Sequence, residues 1–227
     1  MKIIIFILIL YSFYGVIPTI YYRCFSRKAI KNFGTKGYII LSFDDGIDKA
    51  YTEKLLDLLN KYDIKVTFFV LAKTIDENSK IVKRMIDEGH LIGLHSLEHK
   101  CPLFKGYFYT KYDFEYSMEI FKRNNIDLIY FRPPWGVLNL CTLKYIKKYN
   151  LKLILWDTMV GDWRKFSTSR DIEKKIIKKV KDGSIICLHD GRGRDNAPSR
   201  TIKALETAIP KLKEKGFEFT TMENIYE

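Results

Sequence analysis

Short apolar runs alternate with amphipathic stretches along most of this chain. The seven runs are residues 38–43, 66–71, 91–94, 128–131, 153–156, 184–188 and 217–220. They are rich in Ile, Val and Phe and almost free of charge, which is typical of strands buried on both faces. The stretches 51–62, 79–90, 142–150, 169–183 and 197–216 have helical spacing, and several end in Gly. This alternation predicts a parallel sheet with helices outside.

The number of repeated units narrows the fold class further. Seven strand–helix units without a GxGxxG turn favour an α/β barrel over a dinucleotide-binding sheet. No Pro-rich or Ser-rich linker interrupts residues 28–227, so we expect one catalytic domain there.

The N-terminus carries an apolar segment that is separate from this pattern. Residues 3–22 contain no charge, and 20 residues at about 1.5 Å each reach about 30 Å, the thickness of a bilayer core. The segment has no small-x-small cleavage site, so we interpret residues 1–27 as a membrane anchor, with a cleaved signal as the alternative. One Lys precedes the segment, whereas Arg23, Arg27, Lys28 and Lys31 follow it, a bias that would place the domain inside the cell. The chemistry argued below favours the outside, and this conflict stays open.

Polar side chains follow the first and third apolar runs. Asp44 and Asp45 lie in SFDDG. Adjacent carboxylates indicate a cation site or general acid–base catalysis, although Asp-Asp-Gly is also a common turn sequence. His95 and His99 lie in HSLEH, four residues apart and able to reach one metal ion. His90 is expected to pack at the entrance of the strand and receives no ligand role.

HSLEH also matches the HxxEH pattern of a class of zinc peptidases, which requires both histidines on one long helix. Gly89, Gly93 and Pro102 surround the motif and leave little room for such a helix. We therefore expect Glu98 to be an exposed loop residue rather than a catalytic one.

Three further segments place polar residues after later strands. They are FRPPWG with Arg132, WDTMVGDW with Asp162, and CLHDG with His189. A His at a strand end is a candidate general acid or base. The carboxyl ends of parallel strands meet at one rim, where α/β barrels build their active sites. The joint placement of these motifs therefore predicts an active site.

In order along the chain, SFDDG, HSLEH, RPPWG, GDW and LHD resemble the five motifs of the polysaccharide deacetylase family, also called the NodB-homology or carbohydrate esterase family 4 domain. The resemblance covers residue 37 to the C-terminus. It implies a distorted (β/α)7 barrel and a hydrolase that removes N-acetyl groups from sugar polymers such as peptidoglycan or chitin. The departures are mild: Ser42 and Ile47 replace the usual Thr and Pro, and Trp135 replaces a common Tyr.

The resemblance also implies a metal site and a base. Asp45, His95 and His99 would hold a divalent metal, most commonly Zn²⁺, with Co²⁺, Ni²⁺ and Mn²⁺ as alternatives. Such a set leaves coordination positions open for water and substrate. Asp44 would be the general base, and Arg132 would orient it.

The remaining implied roles lie on the other side of the substrate. The backbone N–H of Trp135 would stabilise the oxyanion, and His189 would protonate the departing amine. Asp162 would hold and tune that imidazole. Trp163 and Leu188 would line the acetate pocket.

Composition limits the partners. The net charge is +12, but the Lys residues are spread over helical stretches, which argues against nucleic acid and suits an anionic membrane or wall polymer. Four Cys without CxxC spacing indicate neither a disulfide framework nor a Cys-based zinc site. No obligate protein partner is expected. Removal of O-acetyl groups from xylan and a non-catalytic sugar-binding barrel stay open as alternatives.

Overall fold

A curled sheet of parallel strands forms the centre of the protein, in a computed structural model that describes residues 1–226. Its strands are β1 Ala29–Ile30, β2 Tyr38–Asp44, β3 Thr67–Val70, β4 Leu91–Leu94, β5 Tyr130–Phe131, β6 Lys152–Ile154, β7 Thr158–Met159, β8 Ile185–His189 and β9 Glu218–Phe219. The order across the sheet is β1–β6–β5–β4–β3–β2–β8–β7, and β9 pairs with the start of β2. All seven predicted strands are present, and the (β/α)7 fold class is confirmed.

The two sheet edges, β1 and β7, were not predicted, because each has only two residues. Asn32, just after β1, reaches across to the other edge. It forms an antiparallel bridge with Ser184, and its side-chain amide donates to Asp157 at 2.8 Å. These contacts join the edges without a regular strand ladder, which accounts for the distortion of the barrel.

Helices cover the outer face of the sheet. They are α3 Thr52–Lys61, α4 Ser79–Asp87, α5 Tyr107–Arg123, α6 Leu140–Lys148, α7 Ser169–Lys179 and α8 Ala197–Glu214. Five of them fall in the predicted helical stretches, whereas α5 does not. Apolar residues of these helices pack with the outward side chains of the strands to form the main core.

Alternation along the strands decides which side chains reach the interior of the barrel. On β2, Ile39, Leu41 and Phe43 belong to the main core beneath the helices. Ile40 belongs to a second, smaller apolar cluster. The same alternation brings Asp44, the last residue of β2, to the interior at the carboxyl edge of the sheet.

The apolar N-terminal segment is one helix over Lys2–Cys24, made of α1 Lys2–Tyr11, a π-helical turn Ser12–Val16 and α2 Ile17–Cys24. By length and composition it is able to cross a membrane. The apolar side chains of residues 3–10 are between 48% and 76% exposed. In the second half, Gly15 and Pro18 are buried against the domain. The two halves therefore have different surroundings.

Candidate active site

A pocket of about 340 Å³ opens at the carboxyl edge of the sheet. Seven of the ten predicted site residues line it, together with five others. The lining residues are Arg23, Asp44, Asp45, His95, His99, Trp135, Trp156, Met159, Trp163, His189, Arg192 and Gly193. Larger surface grooves of about 830 and 780 Å³ contain none of the predicted residues.

Three of these residues form a candidate metal centre. The Nε2 atoms of His95 and His99 lie 3.6 and 3.1 Å from Oδ1 of Asp45. Asp45 and His99 have φ angles of 75° and 59°, a left-handed conformation that is uncommon for residues with a side chain and clusters at functional sites. Residues 95–99 are not helical, which excludes the peptidase arrangement of HSLEH.

The chemistry of this set fits a divalent cation. His95 Nδ1 contacts the carbonyl oxygen of Arg132 at 2.8 Å, so we assign the proton to Nδ1 and leave Nε2 free to bind metal. Asp45 Oδ1 and His99 Nδ1 are buried and have no hydrogen-bond partner among the described residues. Burial, with the charges of His95 and Arg192, lowers the pKa of His99 to about 3, so the ring is neutral as a metal ligand must be. Two imidazoles and one carboxylate are ligands typical of zinc.

Asp44, next to the metal centre, is tied to the protein through both oxygens. Arg132 Nη1 donates to Oδ1 at 2.6 Å, and the thiol of Cys187 donates to Oδ2 at 3.3 Å. Burial alone would raise the pKa of Asp44, but the charges of Arg132, His95 and His189 outweigh it and hold the pKa below its ordinary value. Asp44 is therefore an ionised carboxylate in a fixed orientation, as a general base requires.

His189 and Asp162 form the opposite wall. The backbone N–H of His189 donates to Asp162 Oδ2 at 2.8 Å, and its Nδ1 lies 3.0 Å from Oδ1. Burial alone would lower the pKa of His189, but the charges of Asp162, Asp44 and Asp45 raise it to about 9. The imidazole is thus protonated at neutral pH and has the charge state of a general acid.

Asp44, Cys187 and His189 also lie close enough together to hold a cation. Burial raises the pKa of Cys187 well above its ordinary value. A thiol that stays protonated is a poor metal ligand, because the thiolate is the form that binds metal. The set of Asp45 and the two histidines therefore fits a cation better.

Trp135 lines the pocket, whereas Leu188 does not. Trp135 adopts a left-handed conformation (φ 55°, ψ 9°), and its ring centroid is 4.2 Å from that of His99. Leu188 faces the helices in the main core and does not line the pocket. The prediction that Leu188 lines the acetate pocket is corrected for this reason: alternation on β8 brings Cys187 and His189 to the interior instead.

Several residues that build the site were not predicted. Cys187 is two residues before His189 on the same strand face, so the period of two was a usable signal. Asp190, in the CLHDG motif, had no predicted role. It accepts from Thr52 Oγ1 at 2.6 Å, and its carboxylate fills the space where a side chain at Gly46 would lie. Asp190 thereby braces the loop that carries Asp45. Nothing in the sequence marked Arg23.

Comparison with known proteins identifies the family of the chain. A family profile described as polysaccharide deacetylase matches residues 31–154 of the 227. The chain belongs to this family. A peptidoglycan-N-acetylglucosamine deacetylase of Bacillus cereus is 32% identical over 189 residues, which cover 82% of this chain and 87% of that protein.

Two solved structures extend the comparison. A crystal structure of a peptidoglycan N-acetylglucosamine deacetylase superimposes with a TM-score of 0.80 at 29% identity, covering 87% of this chain and 91% of the other. A family 4 acetyl xylan esterase from Clostridium thermocellum, solved with a cobalt ion, has a TM-score of 0.74 at 30% identity and coverages of 83% and 90%. The chain is a carbohydrate deacetylase whose relatives act on cell-wall glycans and on xylan.

Proposed function

We propose that this deacetylase hydrolyses the N-acetyl groups of peptidoglycan at the outer face of the membrane. The observation that carries the proposal is the pocket itself, in which an ionised Asp44 and a protonated His189 flank one candidate metal centre. The similarity to a peptidoglycan deacetylase over 82% of the chain supports the choice of polymer.

Asp45, His95 and His99 would hold the metal, for which Zn²⁺ is the first candidate and Co²⁺, Ni²⁺ and Mn²⁺ are alternatives. When bound, such a cation supplies a Lewis acid that polarises the acetamide carbonyl and makes water more acidic. Burial raises the pKa of Asp45 above its ordinary value even though cationic residues are nearby. This unfavourable buried charge is one that a bound cation would stabilise.

Asp44 removes a proton from the water that attacks the carbonyl carbon. Its lowered pKa keeps it ionised, and Arg132 holds the carboxylate through a hydrogen bond of 2.6 Å. Arg132 is fully buried, so its position is set by packing rather than by solvent. The base is therefore preorganised before substrate arrives.

His189 completes the reaction on the other side of the scissile bond. As the C–N bond breaks, the imidazolium donates its proton to the sugar nitrogen, so that acetate and a free amino sugar leave. Asp162 keeps the imidazole charged and correctly oriented. The backbone N–H of Trp135 stabilises the negative charge that develops on the carbonyl oxygen, and Trp163 forms part of the acetate wall.

The location follows from the substrate. Peptidoglycan lies outside the membrane, so residues 1–27 anchor the chain and the domain at 28–227 is extracytoplasmic. The net charge of +12 favours association with an anionic wall or bilayer surface.

Acetate release by the full chain tests the proposal. The substrates are peptidoglycan, chitin oligomers and acetylated xylan, each with and without chelator. We expect chelator-sensitive release from peptidoglycan, with the rate reduced about 1,000-fold in Asp44→Asn, the size of a general-base contribution. Asp87→Asn, at an exposed carboxylate on α4 that pairs with Lys83, is the matched control.

Other outcomes of the same assay redirect the proposal. Preferential release from xylan would favour an O-acetyl esterase, the activity named for the Clostridium thermocellum relative. Full activity in Asp44→Asn would exclude the mechanism. Absence of bound metal together with absence of release would favour the non-catalytic sugar-binding barrel.

A further inference from the structure

The second half of the apolar helix forms specific hydrogen bonds with the catalytic domain. The hydroxyl of Tyr14 donates to the carbonyl oxygen of Lys105 at 2.5 Å. The hydroxyl of Thr19 donates to the carbonyl oxygen of Leu138 and accepts from the N–H of the same residue, both at 2.9 Å. Because one side chain satisfies both backbone groups of Leu138, the contact fixes the helix in one register on the domain.

Packing between the helix and the domain is equally close. A side chain at Gly15 would come within 2.5 Å of the Leu103 methyl group, so this turn of the helix lies directly on the 102–104 turn. Pro18, one turn later, is buried. Close packing around a small residue and matched hydrogen bonds together indicate a built interface, not an accidental contact.

Arg23, in the last turn of α2, lies at the active-site pocket. Arg23 Nη1 donates to the carbonyl oxygen of Trp135 at 3.0 Å, and its guanidinium lies 5.3 Å from the ring centroid of Trp156. Gly136 permits this approach, since its missing Cβ would lie 3.0 Å from the same nitrogen. Arg23 itself is one of the residues that line the pocket.

We propose that residues 12–24 are a permanent part of the catalytic domain and that Arg23 is a positioning residue for the Trp135 loop. This inference rests on the proposed function, in which the N–H of Trp135 stabilises the oxyanion. Arg23 holds the carbonyl of that residue, in a left-handed conformation that is unfavourable for Trp on its own. Removal of the segment as a signal peptide would take away one wall of the pocket.

With residues 3–10 inserted in a bilayer, the same contacts would hold the pocket close to the bilayer surface. Residues 3–10 are exposed and apolar, and with residues 12–24 held on the domain their length of about 12 Å would enter a bilayer core of about 30 Å from one side without crossing it. Phe104 is next to Lys105, which Tyr14 contacts, and Phe108 is in the first turn of α5. Those two side chains are 76% and 85% exposed, and a bilayer interface would remove such apolar side chains from water.

The mass of the chain recovered from membranes tests whether the helix is retained. Intact-mass measurement of the protein extracted in detergent is expected to give a chain that includes residues 12–24. A mass that corresponds to a chain starting beyond this segment would overturn the proposal.

Kinetics of full-length variants test Arg23. In Arg23→Ala we expect kcat to fall about tenfold with KM within about twofold, the effect of one lost hydrogen bond to a charged donor. Arg23→Lys is expected to recover most of kcat, because the ammonium still donates to the Trp135 carbonyl. Arg27→Ala, an exposed cation one turn beyond the helix, is the control and should match the parent protein.

A second pair of variants separates the helix contact from Arg23. Gly15→Leu forces the helix away from Leu103 and should lower kcat about as much as Arg23→Ala, whereas Phe13→Leu, at a position 60% exposed, should not. If Arg23→Ala and Gly15→Leu both behave like their controls while Asp44→Asn is inactive, this inference fails and the proposed function stands. If Asp44→Asn keeps its activity, the proposed function fails first.

Discussion

The two sides of the pocket are built in opposite ways. On the acid–base side, formed by Asp44, Arg132, Asp162 and His189, the carboxylate oxygens have donors. Both oxygens of Asp44 accept a hydrogen bond, and Asp162 binds the backbone and ring of His189. The carboxylates of this side are therefore satisfied from within the protein, whereas Nε of the buried Arg132 has no hydrogen-bond partner among the described residues.

On the metal side, formed by Asp45, His95 and His99, buried polar atoms are left over. Asp45 Oδ1 and His99 Nδ1 have no hydrogen-bond partner within residues 1–226. An unsatisfied buried polar atom costs about 1–3 kcal/mol. The buried carboxylates of the acid–base side therefore have their donors as folded, whereas the buried carboxylate of the metal side would be satisfied only by a cation.

Matched amide substitutions should separate the two sides most clearly in unfolding experiments with chelator present. Asp44→Asn removes the charge that balances Arg132, a fully buried guanidinium, and should lower the free energy of unfolding by about 3 kcal/mol. Asp45→Asn removes a carboxylate charge that no hydrogen-bond donor stabilises, and Asn tolerates the positive φ at this position. We therefore expect the free energy of unfolding to change by less than about 1 kcal/mol. Equal destabilisation by both variants would contradict the contrast.

Stabilisation by a bound cation should depend on Asp45 and much less on Asp44. At a cation concentration 100 times the Kd, the parent protein should gain about 2.7 kcal/mol, or about 5–10 °C in Tm. We expect Asp45→Asn to lose this gain and Asp44→Asn to keep most of it. Thermal unfolding with Zn²⁺ or Co²⁺ measures the shift in Tm. A gain that is lost in Asp44→Asn and kept in Asp45→Asn would place the cation on the acid–base side and contradict this assignment.

The sequence predicted those parts of the site that are carried by contiguous motifs at strand ends. The carboxyl ends of parallel strands converge, so the motifs alone were enough to place Asp44, His95 and His189 at one rim. Helix α5 escaped prediction because Tyr107–Arg123 is rich in aromatic residues, which favour strands by propensity. This helix nevertheless supplies Asp113, which accepts from the N–H of Leu97 at 2.9 Å and holds the loop of the two histidines.

Two other differences arise from geometry that a motif does not contain. Leu188 lies beside His189 in LHD, but adjacent residues on a strand point to opposite faces. Arg23 and Trp135 are 112 residues apart, and only the docked helix brings them together. Motif proximity therefore located the site, whereas the side-chain directions and the contribution of the helix depend on the folded chain.

The pH profile of kcat tests the acid–base side. His189 acts in its protonated form, so kcat should fall as the pH rises through its pKa of about 9. Asp162→Asn removes a charge that raises this pKa, and the alkaline limb should move down by about 1–2 pH units. Asp157→Asn is the control, because its carboxylate binds Asn32 and Ser184 away from His189. If the alkaline limb moved in Asp157→Asn and not in Asp162→Asn, Asp157 would be the residue that raises the pKa of His189.

The smallest effect is expected at Cys187, which lies where the two sides meet. Its thiol donates to Asp44, and Cys187→Ala should lower kcat about threefold, the size of one weak hydrogen bond, with recovery in Cys187→Ser because a hydroxyl also donates. The thermal shift produced by the cation should stay unchanged in both variants. Asp44, Cys187 and His189 form an alternative three-ligand group, so this measurement decides between the sets. A thermal shift lost in Cys187→Ala, with kcat otherwise intact, would move the cation to that group and remove the distinction between the two sides.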